Sequence, residues 1–250
     1  MKKILYIFSI SISVIFIFQL SSCIKAPDPF NPGDADNVYN GCRIKQIVTA
    51  GQYASFTRIF TYNSDNDPLS ETGTLGLVHG GTGNPDLTFK YDNRHRLIEF
   101  AGLYANGYYE YLHHYTYQGN RILIDTVSIF GLYGGPLPPP GQVAYGYLRY
   151  DKLNRVVQDS FFTPGPNSSL VINYVYDANG NLVTDNAYDN KLNPRRTNKI
   201  WMFIDRNYSV NNPVAASAYN SSGLPLHLNL FGVFLFSGYG GSTDITYECK

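Results

Sequence analysis

Carboxylate and glycine-rich segments are present that could serve catalysis, but their spacing matches no complete catalytic motif. A glycosidase needs two carboxylates about 5 to 10 Å apart in a cleft. The candidates in predicted strands are Asp86, Glu99, Glu110, Asp125 and Asp159, and sequence spacing places no two of them together. Residues 79–83 are similar to an oxyanion loop, but no Gly-x-Ser-x-Gly elbow completes it. The sequence therefore favours a non-enzymatic protein, with a glycosidase-type enzyme as the weaker alternative.

Metal binding also finds little support in the sequence. Residues 63–67 place oxygen-bearing side chains on alternate positions, as calcium loops do, but the bidentate Glu expected further on is missing. His113 and His114 are adjacent in a predicted strand, so their side chains point to opposite faces and do not easily share one ion. We expect no metal site and no cofactor.

Aromatic side chains are concentrated between residues 104 and 117. Strand alternation predicts that Tyr109, Tyr111, His113, Tyr115 and Tyr117 share one face. Tyr109, Tyr111 and Tyr115 are the candidate ligand-binding residues, because aromatic faces can stack on flat apolar faces such as those of sugar rings. The alternative is that these rings pack against their neighbours inside the sheet.

A short repeat predicts the architecture that positions these residues. An aromatic strand ends in Tyr followed by Asp, Asn or Gln, a turn follows, and an aliphatic residue begins the next strand; the clearest copies are residues 91–97, 150–156 and 176–182. Five hairpins follow this pattern, a degenerate sixth spans 219–224, and a last strand covers 243–248. The tyrosine rings are expected to form a ladder on one face, with Asp or Asn bonding the turn amides and with Gly180 and Asn154 adopting positive φ. The fold class is all-β, an antiparallel meander of hairpins forming one strongly curved sheet or barrel-like shell.

We expect binding specificity to come from the segments where the repeat is interrupted. Proline and glycine between residues 130 and 141 predict an inserted loop. No segment shows sustained helical periodicity, although residues 213–218 are compatible with one helical turn. Many outward-alternating positions, such as Lys90, Glu110, Arg149 and Asn173, are charged or amide, which argues against a membrane-spanning pore.

Cys42 lies in the first predicted strand and Cys249 in the last. A disulfide between them would close a loop of about 200 residues and contribute roughly 4 to 5 kcal/mol at most. Two buried free thiols are the alternative.

The N-terminal residues predict where the protein is located in the cell. A basic start and an apolar stretch to Leu20 indicate a signal peptide over residues 1–22, with a retained N-terminal anchor as the alternative. Residues 20–23, Leu-Ser-Ser-Cys, resemble the bacterial lipobox, which implies lipid modification of Cys23. Residues 23–39 are proline-rich and indicate a flexible tether, so the all-β domain is expected to span residues 40–250.

The Tyr-Asp-x-x-Gly-x-Leu pattern of residues 176–182 resembles the YD repeat of Rhs and teneurin-type shells. Combined with the lipobox, it resembles a Bacteroidota lipoprotein family of unknown function with a porin-like β fold. The resemblance implies an outer-membrane lipoprotein, on the periplasmic face or at the cell surface. Its expected partners are the membrane, through the anchor, and a glycan or another envelope protein; a purely structural role is the alternative.

Nucleic acid is not an expected partner. Removal of residues 1–22 takes away Lys2 and Lys3, which leaves 17 basic and 19 acidic side chains and a formal charge of −2. Such a balance lacks the basic surface typical of nucleic-acid binding.

Overall fold

Antiparallel β-structure dominates this computed structural model, which describes residues 33–51, 55–73, 83–136, 142–164, 169–185, 187–213, 216–230 and 241–250. In the described chain thirteen strands form one sheet. They are β1 (Cys42–Gly51), β2 (Ser55–Tyr62), β3 (Pro68–Gly73), β4 (Asp86–Tyr91), β5 (Leu97–Leu103), β6 (Tyr108–Gln118), β7 (Arg121–Leu132), β8 (Val143–Tyr150), β9 (Val156–Phe162), β10 (Ser169–Asn173), β11 (Ala218–Tyr219), β12 (Pro225–Leu230) and β13 (Gly241–Cys249). The predicted all-β hairpin meander is confirmed.

The order of strands is β10-β9-β8-β7-β6-β5-β4-β3-β2-β1-β13-β12-β11. Strands β1 to β10 form a continuous meander, and the C-terminal strand β13 pairs antiparallel with β1 on its free side. Cys42 is opposite Cys249 in that pairing, and a disulfide joins the two residues. The sheet is open, with β10 and β11 at its edges.

The turns of the repeat share one hydrogen-bonding design. In the β4–β5 turn, Asp92 Oδ1 accepts the backbone N–H groups of Arg94 and Arg96, and the carbonyl of Arg96 accepts the N–H of Asp92. Equivalent acceptors are Asn63, Asp151, Asp177 and Asn220. Three residues after each acceptor the backbone is left-handed, at Asn66, His95, Asn154, Gly180 and Gly223. The predicted roles of the Asx side chain and of Asn154 and Gly180 are confirmed.

The repeated tyrosines tie each hairpin to its neighbour. Tyr91 Oη donates to the carbonyl of Pro68 at 2.8 Å, and Tyr117 Oη donates to that of Leu97 at 2.8 Å. Tyr247 makes the same bond to Pro225 at 2.9 Å. Each tyrosine lies near the end of its strand and bonds the first residue of the strand before it, which belongs to the preceding hairpin.

One short helical segment fills the inner face of the sheet. A 3-10 helix (Pro194–Thr197) leads into α1 (Lys199–Ile204). Trp201 is fully buried and makes edge-on contacts with Phe60 of β2 and Phe89 of β4, at 5.5 and 5.6 Å between ring centroids. Phe203 makes a similar contact with Tyr115 of β6 at 5.2 Å. Because one six-residue helix touches strands this far apart in the sheet, the sheet curves around it.

Three expectations about secondary structure differ from the structure. The helical segment was not predicted, since α1 is only six residues long and four of them in succession, Ile200 to Phe203, are buried, which leaves no amphipathic period. The fifth hairpin is reduced to an isolated bridge between Tyr176 and Leu182. Strand β7 continues to Leu132, so the start of the predicted inserted loop belongs to the sheet.

Residues 33–39, which we expected in the tether, contact the domain. Ala35 N–H donates to the carbonyl of Leu153, and Tyr39 N–H donates to that of Arg196. The signal peptide, Cys23, most of the 79–83 loop and residues 137–141 lie outside the described residues. Within the described ranges, no helix combines the length and apolar character required to cross a membrane.

Candidate functional site: a basic cleft at the turn end of the sheet

A cleft of about 640 Å³ opens at one end of the sheet, and we call it the turn-end cleft. It lies where three hairpin turns, α1 and the N-terminal segment meet. Its lining residues are Ala35, Asp36, Arg94, His95, Arg96, Leu97, Tyr117, Asn120, Arg121, Ile122, Tyr150, Asn154, Lys199, Ile200, Phe203 and Tyr208. This set combines apolar and aromatic side chains with amide and charged groups, and ligand pockets likewise join an apolar lining to a few polar groups.

Arg96 forms one wall of the cleft and is held by its own turn. Its Nη2 lies 2.7 Å from Asp92 Oδ2, its Nη1 donates to the carbonyl of Gly119, and its guanidinium lies 4.4 Å from the centroid of the Tyr117 ring. Hydrogen bonds from the backbone and side chain of Arg96 lower the pKa of Asp92 to about 2. Burial raises the pKa of Tyr117 to about 12. The positive charge of Arg96 is thus matched by a carboxylate.

Arg121 occupies the corresponding place one hairpin further along and has a different partner. Its Nη2 and Nε donate to the amide oxygen Oδ1 of Asn154, at 2.5 and 3.1 Å. Its guanidinium lies 5.6 Å from the centroid of the Tyr150 ring. Asn154 in turn donates to Asp36 Oδ2 at 2.8 Å. Arg121 is therefore oriented by a neutral group, and no carboxylate of the described residues contacts it directly.

Arg94 and Lys199 complete the basic lining. Both side chains are exposed, and among the described residues neither forms a salt bridge. Asp36 is the single carboxylate among the described lining residues. The cleft therefore carries more positive than negative charge.

Helix α1 and the chain after it form the floor. Asn198 caps the helix, its side-chain oxygen accepting the N–H of Ile200 at 2.8 Å. Ile200, Phe203 and Tyr208 are buried and present apolar surface to the cavity. The floor is held from below by Arg206, whose Nη1 donates to the carbonyl of Phe203 at 2.5 Å.

Arg206 also brings two of the candidate catalytic carboxylates together. Its Nη2 lies 3.0 Å from Asp125 Oδ2, and its Nε lies 3.3 Å from Asp159 Oδ2. His113 Nδ1 is 2.8 Å from Asp125 Oδ1. Both carboxylates are only 1% exposed, so they meet a guanidinium inside the sheet and do not face a cleft.

Burial governs the protonation of this network. It raises the pKa of Asp159 despite the nearby Arg206. Burial alone would lower the pKa of Arg206, but the carboxylate of Asp125, assisted by Asp159, outweighs it and the pKa is raised. Arg206 therefore stays charged, and the network is suited to holding strands β6, β7 and β9 onto the chain that crosses them.

The three candidate aromatic residues are not exposed as a row. Tyr109 is 2% exposed and packs with Ala101 and Leu112, whereas Tyr111 contacts Phe100 at 5.7 Å between ring centroids. Tyr115 is 8% exposed against Phe203. The predicted common face fails for Tyr109, because the β5–β6 pairing shifts register between Gly102 and Leu103 and breaks the alternation.

A second, smaller cavity lies where the aromatic stretch meets the end of β7; we call it the outer pocket. It has a volume of about 150 Å³ and is lined by Lys90, Glu99, Tyr109, Leu112, His114, Leu132, Tyr133, Gly134, Gly135 and Pro136. Tyr133 Oη donates to Glu99 Oε1 at 2.5 Å, and Lys90 Nζ lies 2.9 Å from the same oxygen. The polar groups here satisfy one another.

The predicted calcium-like segment forms one of the repeated turns. Asn63 Oδ1 accepts the N–H groups of Asp65 and Asp67. The side chains of Asp65 and Asp67 lie with His95 of the next turn, their possible ligand atoms all within 4.8 Å of one another, and Asp65 Oδ2 is 3.0 Å from His95 Nδ1. A side-chain contact between two adjacent turns accounts for this arrangement.

Sequence reasoning missed Arg94, Arg121 and Lys199 as site residues. A signal was available, because basic side chains recur in the turns at Arg94, Arg96, Arg121 and Arg155. Their convergence on one cavity depends on the strand order and on α1, which the repeat does not encode.

Comparison with known proteins adds no assignment. No protein-family model matches the chain, and the curated proteins include none with a detectably similar sequence.

Proposed function

We propose that this chain is a lipid-anchored, non-enzymatic binding protein of the cell envelope, and that its ligand is a glycan held in the turn-end cleft. The observation that carries the proposal is the cleft itself, with its volume of about 640 Å³ and mixed lining. Ligand sites commonly measure about 300 to 1,000 Å³.

The chemistry of the lining suits a polyhydroxylated ligand. Sugar hydroxyls both donate and accept hydrogen bonds, and the cleft offers the amide group of Asn120, the guanidinium of Arg121 and the carboxylate of Asp36. Ile122 and Ile200 present apolar surface that matches the C–H faces of sugar rings. The site thus provides both kinds of contact that a carbohydrate requires.

A binding role is favoured over hydrolysis by the position of the carboxylates. A glycosidase uses two carboxyl groups that flank its substrate. Asp125 and Asp159 are paired with Arg206 away from the cleft, and Asp36 is the single carboxylate in the described lining.

The envelope location rests on the lipobox-like residues 20–23 and on the signal peptide before them. Replacement of Cys23 by Ala is expected to release the protein from the membrane fraction. Unchanged fractionation of this variant would contradict lipid anchoring.

The ligand proposal is tested with the Cys23→Ala protein on a glycan array. Asn120 is exposed at the cleft, so Asn120→Trp should fill the cavity and reduce binding at least tenfold. Asn179→Trp changes an exposed turn residue outside the cleft and should leave binding intact. Absence of glycan binding, or equal loss in both variants, would contradict the proposal and favour a purely structural role.

A further inference from the structure

We infer that the ligand of the turn-end cleft is an acidic oligosaccharide, whose rings carry carboxylate, sulfate or phosphate groups; this rests on the proposed function. The inference comes from the sign and the pairing of the charges in the cleft.

Four basic side chains line the cleft, namely Arg94, Arg96, Arg121 and Lys199, against one lining carboxylate among the described residues. Arg96 is matched by Asp92. Arg121 bonds to the neutral amide of Asn154, and Arg94 and Lys199 form no salt bridge within the described chain. Even if Asp36 offsets one of these three charges, an excess of positive charge faces the cavity.

Arg121 is positioned in advance for an anion. Its guanidinium donates two hydrogen bonds to Asn154 Oδ1 and lies 5.6 Å from the centroid of the Tyr150 ring, which orients it although the side chain is exposed. A guanidinium has five N–H donors, and the Asn154 bonds use only part of this capacity. Because the group is already oriented, binding a carboxylate or sulfate oxygen costs little side-chain entropy.

Arg94 and Lys199 differ from Arg121 in having long side chains that can move to meet a ligand. They approach the cleft from the β4–β5 turn and from α1, and both are exposed. Long cationic side chains on separate elements can adjust to anionic groups spaced along a chain of sugars. Charge-assisted hydrogen bonds are about twice as strong as neutral ones, so these contacts should contribute much of the affinity.

Acceptors in the same cleft favour a sugar over a bare anion. The carboxylate of Asp36, whose Oδ2 already accepts Asn154, and the amide oxygen of the exposed Asn120 accept hydrogen bonds, which a fully ionised phosphate or sulfate does not donate. Hydroxyl groups next to the anionic group would use them. The cleft therefore fits a ligand that is anionic at some positions and hydroxylated at others.

The test is calorimetric titration of the Cys23→Ala protein with trigalacturonate and with the neutral galactotriose. We expect trigalacturonate to bind at least about tenfold more tightly and to weaken as NaCl is raised from about 0.05 to 0.5 M. The double variant Arg94→Gln/Lys199→Gln should lose about 10- to 100-fold in affinity for trigalacturonate. The control Lys45→Gln/Arg149→Gln removes two exposed cations that do not line the cleft and should retain it.

Two sources of acidic sugar are separated by a second arm. Vesicles of neutral phospholipid containing phosphorylated lipid A present an anionic glycolipid head, whereas trigalacturonate represents a free polysaccharide. Binding in either arm that depends on Arg94 and Lys199 supports the inference and identifies the source. Absence of such binding in both arms overturns it.

Failure of this inference is distinguishable from failure of the proposed function. If galactotriose binds as tightly as trigalacturonate and Asn120→Trp abolishes both, the cleft is a glycan site without preference for acids. If trigalacturonate binds but both double variants bind it equally well, the acidic ligand does not use these cations and the inference fails.

Discussion

The turn-end cleft and the outer pocket contain similar residue types but differ in how their charges are satisfied. In the outer pocket, Lys90 and Tyr133 both contact Glu99. In the turn-end cleft, Arg121 bonds to an amide and Arg94 and Lys199 are exposed. Tyrosine and lysine content therefore does not distinguish a binding cavity from a closed structural contact; the pairing of each charge does.

Their origins in the fold also differ. The outer pocket forms where the repeat breaks down near the end of β7, the place where we expected specificity. The turn-end cleft is built from regular turns that the strand order brings together over α1. The regular turns of the repeat thus form the larger of the two cavities, and its charged side chains are less fully paired than those of the outer pocket.

Replacing Arg206 by Met should cause the largest loss in the free energy of unfolding, and Arg206 lies beneath the floor of the turn-end cleft. The change leaves Asp125 and Asp159 buried without their cation, and loss of one partner of a buried pair costs about 3 to 5 kcal/mol. Lys90→Met is the matched change in the outer pocket, where the lysine is 54% exposed, and should cost less than about 1 kcal/mol. Urea denaturation of the oxidised proteins measures both; similar small losses would contradict a structural role for the Arg206 network.

Replacing Gly131 by Ala should disrupt the outer pocket alone. A methyl group at this position would collide with the buried Tyr109 ring, and such overpacking costs about 1 to 3 kcal/mol. Urea denaturation should report the loss, while glycan affinity at the turn-end cleft should stay unchanged. An equal loss of affinity would show that the two cavities are coupled.

Neutralising Glu99 should make the outer pocket resemble the cleft. Hydrogen bonds that Lys90 donates to Tyr133 and Glu99 raise the pKa of Lys90, so Glu99→Gln should lower that pKa and cost less than about 1 kcal/mol in stability. Nζ-detected NMR titration of Lys90 measures the shift. We expect inorganic phosphate to perturb this resonance in the variant and not in the parent; an unchanged pKa would refute the pairing.

The smallest effect is expected from Asp92→Asn and appears only in acid. The pKa of Asp92 in the folded protein is about 2, below its ordinary 3.8, so ionised Asp92 stabilises the fold above pH 4. That contribution is lost as the pH falls from 4 towards 2. Asn keeps the turn bonds, as Asn63 and Asn220 do, so the variant should lose this part of the acid dependence. Thermal melts between pH 2 and 5 measure it, and the reciprocal Asn220→Asp should increase the dependence.

The local design of the sheet was predictable because it is encoded within about seven residues. Asp92 bonds amides two and four positions later, and the left-handed residue comes three positions after it. A pattern of this range is visible in sequence without knowledge of the fold.

The inner segment and the cleft were not predictable for a different reason. Arg195 and Arg196 resemble surface residues by type, yet they are 1% and 0% exposed. Arg195 pairs with Asp205, and Arg196 donates to the carbonyls of Asp34 and Asn37. Such partners are distant in sequence or belong to the tether-like region, so the hydrophobic periodicity of the sequence does not predict that these arginines are buried. The site charges converge through the same long-range arrangement.

The pairing of β1 with β13 sets the order in which this protein can mature. Cys42 and Cys249 are 207 residues apart in sequence. Strand β1 pairs with β2 on one edge and with β13 on the other. The edge that pairs with β13 therefore stays uncovered until the last strand has been synthesised and is free to bind. Meander hairpins can assemble progressively, because their contacts are local, whereas this long-range contact is slow to form. Until β13 is available, β1 presents an open edge, and truncated chains would keep that edge and its free thiol.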